Sequence, residues 1–171
     1  SGSHPEGITY TTYEKIAKAA QLRRFKLILD TSADFVPDLL KYRPYLIKPN
    51  DEELAEWFGL INPSLEEIKD CGQKLLEKGA ENVLVSLGEK GAILFTPTET
   101  IHVTAPKGEV VNTACAGDTL LATFVGSQLL GLSNEEALIK AVAAGSSTAF
   151  RPGLTDFSDV PTLMQQIKRI L

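Results

Sequence analysis

The chain has 171 residues, enough for one domain with a buried core, and its 43% hydrophobic and 23% charged residues are ordinary for a globular protein. Its net charge of −5 argues against a nucleic-acid or anionic-membrane partner, and no apolar run approaches the length of a membrane span. The two cysteines, Cys71 and Cys115, show no disulfide spacing, which favours a reduced, cytoplasmic setting.

The first half of the chain alternates helical patterns with short apolar runs. Thr11 or Thr12 is predicted to cap a first helix that ends near Arg23 and Arg24. The elements predicted after it are a strand at 26–30, a helix at 34–41, a strand at 45–47, a helix starting at Asn50 and a helix from Ser64 to Lys78 that Gly79 closes.

The second half begins with the most apolar strand pattern of the chain, at 82–87. Further strands are predicted at 91–95 and 100–103, joined by a turn at 97–99, and helices at 116–130, 134–150 and 160–170. Helices that alternate with apolar strands predict a layered α/β fold built on a sheet.

Residues 110–125 suggest an anion site beside a base. A strand ending in Val110 and Val111 leads into a turn of small residues, Ala114–Gly117, and Asp118 then opens a long apolar helix. Free backbone N–H groups and the helix dipole make such a turn a pocket for an anion. Asp118 at its edge could take a proton from an attacking hydroxyl, as phosphoryl transfer requires. The structural alternative is that Asp118 only caps the helix.

A second polar segment, Lys48 to Glu53, follows a strand and opens a helix. Because Pro49 disfavours helix at Lys48, that side chain is expected to project from the loop and reach a nucleotide phosphate. Asn50 and Glu53 could hold waters around Mg²⁺. The same spacing is also that of a capping box, which is the better interpretation of the pair by itself.

Two further segments have both a binding and a structural interpretation. The glycines of Ser86–Gly91 would let backbone approach a phosphate or ribose, although the segment could equally be a plain hairpin connection. It is neither a Walker loop nor a dinucleotide-binding motif. The small residues of 141–147 could leave a slot for adenine or simply allow close helix packing.

Taken together, these segments resemble the PfkB group of carbohydrate kinases, which have the ribokinase-like fold, and within it the 1-phosphofructokinase and tagatose-6-phosphate kinase branch. The resemblance covers essentially the whole chain, with its motifs in the order of that family. Those motifs are Ser1-Gly2-Ser3-x-Pro5-x-Gly7, Lys48-Pro49-Asn50-x-x-Glu53, Ser86-Leu87-Gly88-x-x-Gly91 and Asn112-Thr113-x-Cys115-Ala116-Gly117-Asp118.

The resemblance implies a role for each matching residue. Asp118 would be the base that acts on the sugar substrate, and Cys115, Ala116 and Gly117 would form the anion hole for the transferring phosphoryl group. Lys48, Asn50 and Glu53 would serve ATP and hydrated Mg²⁺. The other nucleotide-binding positions would be Ser86, Leu87, Gly88, Glu89, Lys90, Gly91, Gly117, Val142 and Ser146.

The chain departs from the family pattern in two ways. Family members usually have glycine where this chain has Cys115. The chain also has about half the family's length, so the resemblance implies that 1–171 is the C-terminal, nucleotide-binding part of a single ribokinase-like domain, without the N-terminal sugar-binding half and lid.

The implied reaction of the parent protein is transfer of phosphate from ATP to a phosphorylated ketose, fructose 1-phosphate first of all. Tagatose 6-phosphate and fructose 6-phosphate are the alternative substrates. We expect the fragment alone to be inactive and the parent to be a cytoplasmic homodimer without nucleic-acid or membrane partners. A hypothesis of another class treats the 171 residues as a nucleotide-binding module without catalysis.

Overall fold

In the computed structural model, residues 8–171 are described, and they form helices and strands in alternation. The Ser1–Gly7 motif lies outside these residues. The elements are α1 (Tyr10–Arg23), β1 (Ile28–Leu29), α2 (Val36–Leu39), a 3₁₀ turn (Leu40–Tyr42), β2 (Leu46–Ile47), α3 (Asp51–Phe58), α4 (Leu65–Glu77), β3 (Val83–Ser86), a 3₁₀ turn (Gly88–Lys90), β4 (Ala92–Phe95), β5 (Thr100–Val103), α5 (Ala116–Leu129), α6 (Asn134–Ala149) and α7 (Val160–Met164).

The strands form one five-stranded sheet in the order β1-β2-β3-β4-β5, which confirms the expected α/β fold. β1 and β2 are parallel, with Ile28 opposite Leu46, and β2 is parallel to β3, with Ile47 opposite Val83. Parallel strands need crossovers, and α2 supplies the first while α3 and α4 supply the second. The carboxyl ends of β1 and β2 therefore lie at the same edge, followed by Asp30 and Lys48.

Local chemistry determines where three of the helices begin. Asn50, Ser64 and Ser133 each precede a helix, and each side chain accepts a hydrogen bond from the N–H of a glutamate three residues on, which returns a bond to the backbone. Such reciprocal bonds satisfy two of the N–H groups left free at a helix start. The expected starts of α3 and α4 are confirmed.

By contact density the chain consists of two compact units. The first comprises the described residues up to Val85 together with Leu94–Thr100, and the second comprises Ser86–Ile93 and Ile101–Leu171. In the first unit, the side chains of Leu46, Ile47 and Leu84 are fully buried. In the second, Gly145 of α6 packs on α5 so closely that a Cβ there would lie 3.1 Å from the Ala116 carbonyl oxygen.

The strand expected at 26–30 is limited to Ile28–Leu29, and three helices differ from the sequence-based expectation. The cap of α1 is Thr9 rather than Thr11 or Thr12, and its side chain makes no capping bond. The helix expected at 34–41 is only one turn of α-helix followed by the 3₁₀ turn. The last helix stops at Met164, because the tail after it bonds to β5: the Ile170 N–H donates to the His102 carbonyl oxygen, and Val103 pairs with Arg169. No helix within residues 8–171 combines the length and apolarity needed to cross a bilayer.

Candidate active site

The turn before α5 is held by its own backbone and by Asn112. The Asn112 Oδ1 atom accepts a hydrogen bond of 2.9 Å from the Ala114 N–H. The Val111 and Asn112 N–H groups both donate to the Ala149 carbonyl oxygen, at 2.8 and 3.1 Å. Cys115 then adopts a left-handed conformation, with φ of 61°, and α5 begins at Ala116. No role for Asn112 was predicted from the sequence, and its bond to Ala114 explains its place in the turn.

The start of α5 leaves backbone donors free. Across residues 8–171, the N–H groups of Gly117 and Asp118 have no hydrogen-bond acceptor, whereas the Ala116 N–H donates to Thr113. No side chain caps this helix, unlike α3, α4 and α6. Two free N–H groups at a helix start, together with the helix dipole, attract an anion.

Asp118 lies in the first turn of α5, three residues after the N-cap position, which Cys115 occupies. Its side chain is partly exposed, and among the described residues it makes no hydrogen bond or ion pair. The interpretation of Asp118 as a helix cap is therefore wrong. Its carboxylate is available to accept a proton, next to backbone donors that are available to bind an anion.

The Ser86–Gly91 segment connects β3 and β4 by a 3₁₀ turn, which supports the hairpin interpretation. The Leu87 N–H donates to the Gly91 carbonyl oxygen at 2.8 Å. Gly91 has φ of 95°, and a Cβ there would overlap the Val103 carbonyl oxygen, so this glycine has a packing role. The outer side of the turn is open, since Glu89 and Lys90 are exposed and a Cβ at Gly88 would meet no atom within 4 Å.

Leu87 is a different case within the same segment. The residue is 4% exposed and its N–H already donates to the Gly91 carbonyl oxygen, so Leu87 offers little surface to a ligand.

Lys48 does not project into solvent as expected. Its residue is 7% exposed, and its Nζ atom lies 3.1 Å from Oδ1 of Asp30, which follows β1. Because β1 and β2 are parallel neighbours, the residues that follow them are brought side by side. The pairing of Asp30 with Lys48 was not predicted, although an acidic residue at the end of an apolar strand is a sequence pattern that could have indicated Asp30 as a site residue.

Asn50 and Glu53 form the capping box of α3. The Asn50 Oδ1 atom accepts from the Glu53 N–H at 2.7 Å, and Glu53 Oε2 accepts from the Asn50 N–H at 2.9 Å. No group of three or more His, Cys, Asp or Glu residues in the described part of the chain could ligate a metal directly. The other carboxylate oxygen of Glu53 lies outside the capping bond. Mg²⁺ usually keeps several waters and binds through one or two carboxylates, so a single carboxylate fits a hydrated Mg²⁺ ion.

Val142 and Ser146 lie on α6. Val142 is 3% exposed, whereas Ser146 is partly exposed. The nearby Gly145 packs against Ala116 and Leu120 of α5. Gly145 therefore serves close helix packing, one of the two alternatives, and the adenine slot at Val142 and Ser146 stays a prediction.

The candidate residues are divided between the two units. Lys48, Asn50 and Glu53 belong to the first, whereas Ser86–Gly91, Cys115–Asp118, Val142 and Ser146 belong to the second.

Comparison with known proteins identifies the family. The sequence matches the profile of the pfkB family carbohydrate kinases over residues 1–162. The chain belongs to the pfkB family. This confirms the resemblance seen in the motifs.

Individual pfkB proteins are similar over almost all of this chain. A D-tagatose-1-phosphate kinase of Bacillus licheniformis is 50% identical over 98% of the chain, and a 1-phosphofructokinase of Bacillus subtilis is 39% identical over 98%. A crystal structure of phosphofructokinase-2 from Escherichia coli in complex with substrates and products has a TM-score of 0.88, with 27% identity over 96% of the chain. Arabidopsis thaliana ribokinase with ribose and ATP has a TM-score of 0.77, with 32% identity over 89%.

The match covers only part of each of these pfkB proteins. The chain spans 56% and 55% of the two Bacillus enzymes, 55% of the E. coli structure and 51% of the Arabidopsis structure. It therefore corresponds to about half of a pfkB kinase.

Proposed function

We propose that this chain supplies the phosphoryl-binding turn and the general base of an ATP-dependent sugar-phosphate kinase, and that it is the C-terminal part of one ribokinase-like domain. The observation that carries the proposal is the unpaired Asp118 carboxylate beside the free N–H groups of Gly117 and Asp118. Membership of the pfkB family supports it, because its curated relatives carry the names of sugar-phosphate kinases.

In the proposed reaction, Asp118 removes the proton of a sugar hydroxyl, and the resulting oxygen attacks the γ-phosphorus of ATP. The bond from that phosphorus to the bridging oxygen breaks, and ADP leaves. The N–H groups at the start of α5 donate to the phosphoryl oxygens, where negative charge is concentrated in the transition state. The carboxylate gains a proton only when the hydroxyl is beside it, so the step depends on positioning.

The remaining residues are proposed to hold the nucleotide. The open outer side of Ser86–Gly91 would border its phosphates and ribose, and Ser146 with Val142 would border adenine. Lys48, at the carboxyl end of β2, would contact a nucleotide phosphate by exchanging its Asp30 partner for it. Asn50 and Glu53 would hold hydrated Mg²⁺, which supplies neutralisation of phosphate charge when bound.

The test of the base is Asp118→Asn in the full-length parent, assayed by coupled ADP release. Removal of general-base catalysis predicts a fall in kcat of about 10²–10⁴-fold with little change in the KM for ATP. Asp70→Asn, which removes the same charge from an exposed position on α4, is the matched control and should leave kcat unchanged. Equal turnover of the Asp118→Asn variant and the parent would refute the assignment.

The proposed substrate is fructose 1-phosphate, which would be converted to fructose 1,6-bisphosphate. D-Tagatose 1-phosphate is a second candidate, since the B. licheniformis relative with that name is 50% identical to this chain. Comparison of kcat/KM for these two ketose phosphates in the parent, with tagatose 6-phosphate and fructose 6-phosphate beside them, decides among the four. A higher kcat/KM for either 6-phosphate would exclude both 1-phosphates as the preferred substrate.

At its own length the chain is proposed to bind nucleotide without turnover, because it spans only about half the length of its pfkB relatives. Coupled ADP release by the 171-residue chain with fructose 1-phosphate tests this, and measurable turnover would exclude the binding-only hypothesis. The parent is proposed to act in the cytoplasm. It is also proposed to be a homodimer, and sedimentation of the full-length protein would test that assembly state.

A further inference from the structure

A surface cavity of about 280 Å³ lies in the first unit, at the amino ends of three strands. Its wall consists of the end of α1, the residues that lead into β1 and β2, and Glu81, which lies just before β3. Asp30 and Lys48 follow the carboxyl ends of β1 and β2, at the sheet edge opposite to the cavity. The cavity is therefore separate from the Lys48 segment to which the kinase reaction assigns a role.

Positive charge predominates in this cavity. Arg24, Lys26 and Arg43 line it, and Glu81 is the one acidic residue of the lining. Neither guanidinium forms an ion pair with any residue of the described chain, and Lys26 lies over the Tyr45 ring, with its Nζ atom 4.2 Å from the ring centroid. On a protein with a net charge of −5, such a local excess of unpaired cations concentrates anions.

Both arginines occupy backbone positions that favour glycine. Arg24 ends α1 with φ of 56°, and Arg43 ends the 3₁₀ turn with φ of 54°. A side chain in this left-handed region costs about 1–2 kcal/mol, and α3 ends with Gly59 in the same conformation. The fold itself therefore does not require arginine at either position. Arg23 already provides a cation in the last turn of α1, so the helix dipole does not require Arg24.

The shape and remaining lining of the cavity indicate the size and type of the ligand. A volume of about 280 Å³ is at the lower end of the range for small-molecule sites. Phe25, Tyr42 and Tyr45 provide aromatic surface beside the charged groups, and Phe25 is 66% exposed. A guanidinium matches a phosphate in geometry and charge, and aromatic rings pack against the carbon skeleton of a sugar.

We propose that this cavity, between the end of α1 and the starts of β1 and β2, is a binding site for a small phosphorylated metabolite of about the size of a sugar phosphate. Arg24 and Arg43 hold the phosphate, Lys26 adds charge, and the exposed Phe25 ring contacts the organic part. The proposal is independent of the kinase reaction and of Asp118.

Glucose 6-phosphate is the probe, and glucose is its neutral control. Titration of the 171-residue chain by calorimetry should show saturable binding of glucose 6-phosphate but not of glucose. Backbone amide shifts in nuclear magnetic resonance should change at 21–27 and 42–45. Raising the ionic strength should weaken binding, since exposed charges are screened by salt.

The variants are Arg24→Gly and Arg43→Gly, each of which removes the guanidinium while relieving the left-handed strain. Each should weaken binding by about tenfold or more, the size of a lost charge-assisted hydrogen bond, without lowering the melting temperature. Arg23→Ala removes the same charge from outside the lining and should leave the affinity within about twofold, as expected for an unpaired exposed charge.

Three results would overturn the proposal. One is the absence of saturable binding to the wild-type chain, and another is binding whose amide shifts lie at 48–53 or 86–91 instead of around the cavity. The third is an equal loss of affinity in the Arg23→Ala variant, which would reduce the effect to overall charge.

Discussion

Replacing Cys115 with glycine should stabilise the chain, because Cys115 has φ of 61° at an exposed position before α5. A non-glycine residue in this left-handed region costs about 1–2 kcal/mol. Glycine gains freedom in the unfolded chain, which offsets about 0.4–1 kcal/mol of that relief. The net expectation is a gain of about 0.5–1 kcal/mol in the free energy of unfolding, or about 1–4 °C in melting temperature for a chain of this size.

The assay is thermal unfolding followed by far-ultraviolet circular dichroism, with Cys115→Ala as the matched control. Alanine removes the thiol but keeps the Cβ atom, so it keeps the backbone strain and should leave the melting temperature nearly unchanged. Backbone strain is refuted as the cause if the glycine variant melts at or below the wild-type temperature. Equal stabilisation by alanine and glycine would assign the effect to the thiol instead.

Two further predictions concern charged groups of the first unit. Lys48→Met should lower the free energy of unfolding in urea by about 3 kcal/mol, because it leaves the Asp30 carboxylate, whose side chain is only 13% exposed, without its partner; a loss below about 1 kcal/mol, the value of a surface ion pair, would contradict this. Glu14 accepts hydrogen bonds from Tyr42 and Tyr10, which lower its pKa from 4.5 to about 2. Since the folded-state pKa is the lower one, the ionised carboxylate stabilises the chain above pH 4.5, and this contribution is lost as the pH falls towards 2. Glu14→Gln should therefore lose less stability than the wild type between pH 5 and pH 2.5 in urea titrations, and an unchanged slope would contradict the assignment.

Local patterns predicted much of the fold. The pairs Asn50 with Glu53 and Ser64 with Glu67 placed two helix starts correctly, because a capping box is complete within four consecutive residues. The strand at Thr100–Val103 was also placed correctly. The predicted end of α7 was wrong because the chain after Met164 bonds to β5. That strand is distant in sequence, so the local pattern around α7 carries no sign of it.

The candidate site was predictable to the same extent. The small residues before Asp118 indicated a turn with exposed backbone, and the free N–H groups of Gly117 and Asp118 agree with it. The inward turn of Lys48 was not predictable from its own segment, because it depends on Asp30, which follows the neighbouring parallel strand. The cavity lined by Arg24 and Arg43 was missed for a similar reason, since separate segments form its wall.

The division into two compact units has a spectroscopic consequence. The single tryptophan, Trp57, and all four tyrosines, at positions 10, 13, 42 and 45, belong to the first unit. The second unit, which carries Asp118, contains three phenylalanines but neither tryptophan nor tyrosine. Intrinsic fluorescence therefore reports the unfolding of the first unit, whereas circular dichroism reports the helices of both. Superposition of the two unfolding curves would indicate that the units melt as one cooperative body, and their separation would measure the stability of the second unit by itself.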